Sequence, residues 1–251
     1  MQMGFIGSGN MARALARGWG EPVLCTGTGS GRADALVAEL GGEVLASNAE
    51  LAERCEALLL CHKPAGLAQV AQEVGGRADV IVSVLGGVSL AQLREAYPDA
   101  QLVRTMPNIA AEVRQGVTCL CAQDGIDPAV LEWARERFGA VGSVFELPER
   151  LMSVATATSG VAPAYVSLVA EAQVDAAVKH GLTPSLAGQI VTHSLLGSAA
   201  LLQARDFDTL AIRREVTSPG GSTARGLAAL ERGGLRSAFV DAMESVLELR
   251  A

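Results

Sequence analysis

The chain has 251 residues, 49% of them hydrophobic and 19% charged, with a formal net charge of −7. This length suits one large domain or two modest ones, and the composition excludes extended disorder. The acidic balance argues against a nucleic-acid binder, which needs a basic face to displace counterions, but it leaves room for a local basic pocket around a phosphate.

In chain order, Met3 to Ile6 reads as a strand, followed by Gly7-Ser8-Gly9 and a helix through Trp19. Pro22 to Thr26 is a second strand and Arg32 to Leu40 a second helix. Glu43 to Ala46, Ala57 to His62, Asp79 to Leu85 and Gln101 to Met106 are further strand candidates. Apolar runs spaced by helical stretches predict a parallel, doubly wound Rossmann-type sheet. Val117 to Ala122 and Ser143 to Leu147 add strands at the far edge, around a helix from Pro128 to Phe138.

After Pro148 no further strand is expected. Ala164 to His180 and Pro184 to Ala204 read as long helices, the second with Thr183 as N-cap and Pro184 at its first position. Both are apolar around most of their circumference and so are expected to be buried, most simply by a second subunit. Charges within these runs, such as Glu171 and Asp175, argue against membrane spans, and no signal peptide is recognised before the first strand. A helix from Asp208 to Glu215, a Ser-Pro-Gly-Gly turn and helices from Ser222 and Leu235 complete the chain. The expected division is a dinucleotide-binding domain over residues 1–148 and an all-α domain over residues 149–251. Aromatics are only 4%, so small aliphatic side chains fill the core and let helices approach closely. The five cysteines (Cys25, Cys55, Cys61, Cys119, Cys121) lack zinc spacing and read mostly as small buried hydrophobes of a reducing cytoplasm. Cys119 and Cys121 share one face of a strand, which leaves a metal or redox pair as the alternative there.

Gly7-Ser8-Gly9-Asn10-Met11-Ala12 is a G-x-G-x-x-A fingerprint directly after a strand and opening a helix. The first glycine makes the tight turn, the second lets a pyrophosphate approach the backbone, and Ala12 permits close helix–strand packing. About twenty residues on, an NAD site places a carboxylate against the ribose 2′-hydroxyl. Here Thr26 to Arg32 carries none, but offers Ser30 and Arg32, so NADPH is favoured and NADH is the alternative. Asn48, Cys61, His62, Lys63, Pro64, Leu85 and Gly86, at or near later strand ends, are assigned to the same cofactor. His62 reads as hydrogen-bonded scaffolding, with proton donation as the alternative. His180 and His193 are read as structural, and no metal is expected. Near the carboxyl end, Thr217-Ser218-Pro219-Gly220-Gly221-Ser222-Thr223 breaks one helix and starts another, presenting hydroxyls and N–H groups to an anion.

With these pieces placed, the chain resembles the pyrroline-5-carboxylate reductases. Met3 to Met11, Lys63-Pro64, Val103-Arg104-Thr105-Met106-Pro107-Asn108, Pro163-Ala164-Tyr165 and Val216 to Thr223 carry the resemblance, with Gly226 to Glu231 and Gly233 to Arg236 behind them. It implies NAD(P)H-dependent reduction of 1-pyrroline-5-carboxylate to L-proline in the cytoplasm. The helical domain would interlock two subunits, and dimers of the family often assemble into decamers. By position, Ser218, Gly220, Gly221, Ser222 and Thr223 would bind the substrate, with the Thr223 hydroxyl on the imine nitrogen as the catalytic contact.

The chain departs from the family pattern at Val161 and Ala162, at Ile109-Ala110 after the Met-Pro-Asn run, at Leu85, at Ser153 and at His62. Two alternatives therefore stay open: reduction of another imine or imino acid, and a non-catalytic NADP-binding role.

Overall fold

Short apolar runs form a single eight-stranded sheet in the computed structural model, which describes residues 1–248. The strands are β1 (Met3–Ile6), β2 (Val23–Thr26), β3 (Gly42–Val44), β4 (Ala57–Leu60), β5 (Val80–Ser83), β6 (Gln101–Pro107), β7 (Gly116–Ala122) and β8 (Gly142–Glu146). Their order is β3-β2-β1-β4-β5-β6-β7-β8. The first six run parallel, in the order of dinucleotide-binding sheets. β7 lies antiparallel to β6, and β8 parallel to β7. Asn108 to Gln115 is too short for a parallel crossover, which takes about a dozen residues, so the chain turns back on itself.

The central strand β4 shows why the sheet is covered on both sides. Ala57 and Leu59 point into one apolar cluster with α1 (Asn10–Trp19), α2 (Arg32–Leu40) and α6 (Pro128–Gly139). Leu58 and Leu60 point into the other, with α3 (Asn48–Arg54), α4 (Leu67–Val74) and α5 (Leu90–Ala96). A strand buried on both faces loses polar alternation and reads as a plain hydrophobic run. The strands thus match the expected ones to within a few residues at each end. β4 stops at Leu60 rather than His62, because the chain bends at Lys63 into a 3₁₀ turn begun by Pro64.

Beyond β8, a 3₁₀ turn (Glu149–Leu151), α7 (Met152–Ala155) and a π-turn (Thr156–Gly160) return to the sheet. Met152 and Ala155 pack with Met106, Cys119 and Cys121. Asn108 ties this return down: its Nδ2 donates to the Ser159 carbonyl at 3.1 Å and its Oδ1 accepts from the Val117 N–H at 3.2 Å. The first compact unit accordingly runs from Met1 to Pro163, beyond the expected boundary at 148, and the second begins at Ala164. The Cys119 and Cys121 thiols are buried, which pushes Cys121 up to about 11 and keeps both protonated at neutral pH.

One ion pair of this unit has a measurable consequence. Arg104 is only 5% exposed, and its Nη1 donates to Glu149 Oε1 at 2.9 Å. The same oxygen accepts from the Leu90 N–H at 2.6 Å. Glu149→Ala leaves a buried guanidinium uncompensated and is expected to lower stability by about 3 kcal/mol, read as a shift in the urea midpoint. An unchanged midpoint would mean the pair contributes nothing.

The later residues are helical: α8 (Ala162–Lys179), α9 (Pro184–Gln203), α10 (Thr209–Glu215), α11 (Ser222–Arg232) and α12 (Leu235–Glu248). The Thr183 hydroxyl caps α9 through the Leu186 N–H, and Pro184 takes the first helical position. The expected burial of α8 and α9 does not hold within one chain. No described residue of α8 is buried, and on α9 only Ala187 and Val191 are. Leu168 stands 65% and Leu196 66% exposed. By length and composition alone, Glu149–Lys179 and Pro184–Gln203 are also apolar enough to cross a membrane.

Candidate active site

The strand order reverses between β1 and β4, and there the sheet opens a cleft at its carboxyl edge. Gly7 follows β1 at φ +99°, and a Cβ on it would stand 3.0 Å from the backbone of Cys61 and His62. Only glycine tolerates both conditions. Gly9 is different: its φ of −72° suits any residue, and the nearest atom to a Cβ there is the Cys61 carbonyl oxygen at 3.9 Å. The space above Gly9 is open. Gly9 is also the N-cap of α1 and no side chain caps that helix, so its first N–H groups face the cleft as anion donors. Gly31 begins α2 at φ +74°, again with no side-chain cap, beside Ser30 and Arg32.

A cavity of about 710 Å³ joins these parts. Of the expected cofactor residues, Gly7, Ser8, Gly9, Ser30, Arg32, Asn48, Cys61, His62 and Lys63 line it. Asn10, Met11, Ala12, Pro64, Leu85 and Gly86 are not among its lining residues. Ala12 lies on the fully buried face of α1, and the Leu85 side chain is held in the core.

His62 Nδ1 donates to the Lys63 carbonyl at 2.9 Å, which leaves Nε2 as an acceptor, buried and unpartnered. Burial holds the imidazole below its ordinary range, against weaker upward pulls from that carbonyl and from Glu73. A neutral ring with a fixed tautomer supports the scaffolding reading and makes His62 a poor proton donor at neutral pH.

Sequence reasoning missed the far wall of the cleft. Gln69 and Glu73, four residues apart on α4, face it beside the edge of Val70, while Val74 turns into the core. The Thr26 hydroxyl donates to Asn48 Oδ1 at 2.6 Å, and Asn48 Nδ2 donates to Glu73 Oε2 at 2.5 Å. Gln69 Nε2 donates to the other Glu73 oxygen at 2.9 Å. The helical spacing of Leu67, Val70, Ala71 and Val74 was the available signal, because it turns positions 69 and 73 away from the core.

In the second unit, Ser218-Pro219-Gly220-Gly221 closes a β-turn through a 3.0 Å bond from the Gly221 N–H to the Ser218 carbonyl. Gly220 takes φ +69° at the third position, as a type II turn with proline second requires. Gly221 is the N-cap of α11, and no side chain caps the helix. Its first N–H groups, including those of Ser222 and Thr223, are therefore open to an anion. Ser218 Oγ leans over this start, only 2.4 Å from where a Gly221 Cβ would be. Thr217 Oγ1 is buried with no partner. The turn holds Ser218, Gly220, Gly221, Ser222 and Thr223 around the start of α11. Among the described residues no cluster of histidine, cysteine or carboxylate is placed to hold a metal.

Residues 149–250 match the family described as pyrroline-5-carboxylate reductase dimerisation, and residues 2–87 that described as NADP oxidoreductase, coenzyme F420-dependent. A pyrroline-5-carboxylate reductase of Synechocystis is 38% identical, over 98% of this chain and 95% of its own length. The one from Thermus thermophilus is 34% identical over 98% and 95%. Among solved structures, Plasmodium falciparum pyrroline carboxylate reductase with NADP bound superposes at a TM-score of 0.90 and 28% identity, covering 100% of this chain and 97% of that one. The Streptococcus pyogenes enzyme also scores 0.90 at 28% identity, over 100% and 98%.

Proposed function

The chain belongs to the pyrroline-5-carboxylate reductase family, and from that premise we propose that it reduces 1-pyrroline-5-carboxylate to L-proline with NADPH. The observation that carries this reading is the uncapped start of α11 behind the Ser218–Gly221 turn, in a chain that also builds a dinucleotide cleft. The cleft fits that coenzyme: open space above Gly9 and two uncapped helix starts suit its phosphates, with Ser30 and Arg32 beside the second. When bound, the nicotinamide supplies a hydride.

The chain's own residues bind and orient. Ser218 and the N–H groups of Gly221 to Thr223 hold the substrate carboxylate at the positive end of α11. The Thr223 hydroxyl accepts from the N–H of the protonated imine and fixes the ring plane. Reduction adds hydrogen to the ring carbon, and the nitrogen keeps the proton it already carries. No strong general acid is needed, which agrees with the neutral His62.

The helical part is a dimerisation region by its family match, and a second copy is the cover that α8 and α9 lack. We assign a homodimer through this part, further association toward decamers, and a soluble cytoplasmic enzyme with no nucleic-acid or membrane partner. Residues 149–163 belong to the matched family region but cluster with the first unit, which supports a functional boundary within them.

The departures at Ile109, Ala110, Ser153, Val161 and Ala162 favour a second reading, the same chemistry on a different cyclic imino acid. A substrate panel separates the two. Pyrroline-5-carboxylate is expected to be turned over best, a six-membered carboxylated imine more slowly, and 1-pyrroline without the carboxylate at least ~100-fold less efficiently, because the α11 start is then left without its anion. A preference for the six-membered ring would establish the second reading, and indifference to the carboxylate would remove the α11 start from both.

A further inference from the structure

We propose that Glu73 sets the balance between the phosphorylated and the unphosphorylated nicotinamide coenzyme, an inference that rests on the cleft being a dinucleotide site. In sheets of this order the adenine ribose lies at the end of the second strand, and a carboxylate there accepts from the 2′-hydroxyl while repelling a 2′-phosphate. The loop Thr26 to Arg32 supplies no such carboxylate. The fold delivers one from elsewhere. Thr26 is the last residue of β2, its hydroxyl donates to Asn48, and Asn48 donates to Glu73. Glu73 on α4 is thereby tied through one amide to the strand end where an NAD-type carboxylate would stand.

Other lining residues of the cavity suit a phosphate. Ser30, Arg32 and the uncapped start of α2 line the same cavity as Thr26, Asn48 and Glu73. The site therefore carries two opposed instructions: a cation beside free N–H groups, and a carboxylate held by Asn48 and Gln69. Asn48 donates toward Glu73, so a 2′-phosphate seeking the Asn48 amide must come up against the carboxylate. A 2′-hydroxyl donates to that carboxylate instead. NADPH remains the coenzyme favoured by Arg32, and Glu73 limits the margin by which it is favoured.

Glu73→Gln keeps the size, the helix position and a hydrogen-bonding group while removing the charge. The measurement is the dissociation constant of NADPH and of NADH for the full-length protein, followed by the fluorescence of the reduced nicotinamide without imine present. Glu73→Gln is expected to shift the ratio of the two constants about tenfold further toward NADPH, about 1.4 kcal/mol. Arg32→Ala is expected to shift the same ratio the opposite way. A ratio within twofold of wild type in Glu73→Gln, with Arg32→Ala shifting it, would overturn the role of Glu73 and leave the cleft assignment standing. Failure of the wild-type chain to bind either coenzyme would overturn both.

Discussion

Gly9→Ala is expected to weaken dinucleotide binding by at least ~100-fold, about 2.7 kcal/mol, while leaving the fold as stable as before or slightly more so. The two halves of this result come from one geometry. The backbone at Gly9 has a φ that any residue adopts, and a methyl group there meets only the Cys61 carbonyl oxygen at 3.9 Å. Nothing in the protein needs this glycine. What needs it is a group that approaches the backbone at the start of α1, as a pyrophosphate does. Gly7 serves as the contrast: at φ +99° and 3.0 Å from the Cys61 backbone, an alanine strains the chain itself. Thermal melts with coenzyme titrations check both, and a Gly9→Ala protein that binds NADPH normally would remove the diphosphate from this cradle.

Thr223→Ala is expected to lower kcat/KM for the imine about 100-fold, ~2.7 kcal/mol, with the NADPH dissociation constant within twofold of wild type. The figure is that of losing one hydrogen-bonding partner aligned on the reacting group. Thr223 sits in the first turn of α11, where the helix supplies free N–H groups and its side chain adds a hydroxyl. Steady-state kinetics beside a coenzyme titration separates the roles. Unchanged turnover would show that Thr223 does not touch the reacting ring, and is the outcome that a purely nucleotide-binding protein would give.

Much of this was legible in the residues, for physical reasons that differ by region. Strands buried on both faces must be continuous apolar runs, so Ala57-Leu58-Leu59-Leu60 announces itself. The glycine fingerprint combines a steric demand at Gly7 with a ligand's demand at Gly9, and both are carried by residue type. The turn at Ser218 is equally local: proline second and glycine third prescribe its backbone. Pairing direction is not local. The antiparallel entry of β7 follows from the short loop after Asn108 and not from the composition of the strand. Glu73 was hidden for a related reason, since its role depends on Asn48 and Thr26, residues brought beside it only by the sheet order. The start of α11 at Ser222 is local too: the turn puts Gly221 at the N-cap, and no side chain closes the helix start.

The helices α8 and α9 mark the limit of single-chain reasoning. Their apolar circumference demands burial, and Leu168 and Leu196 are instead exposed. Composition states the demand; only the dimerisation match says what meets it.

The most direct test of the account is to mix the purified chain with NADPH and fresh 1-pyrroline-5-carboxylate, following coenzyme oxidation and proline formation together. The account predicts one proline formed for each NADPH oxidised. A chain that binds NADPH normally but oxidises none of it with this imine would contradict it.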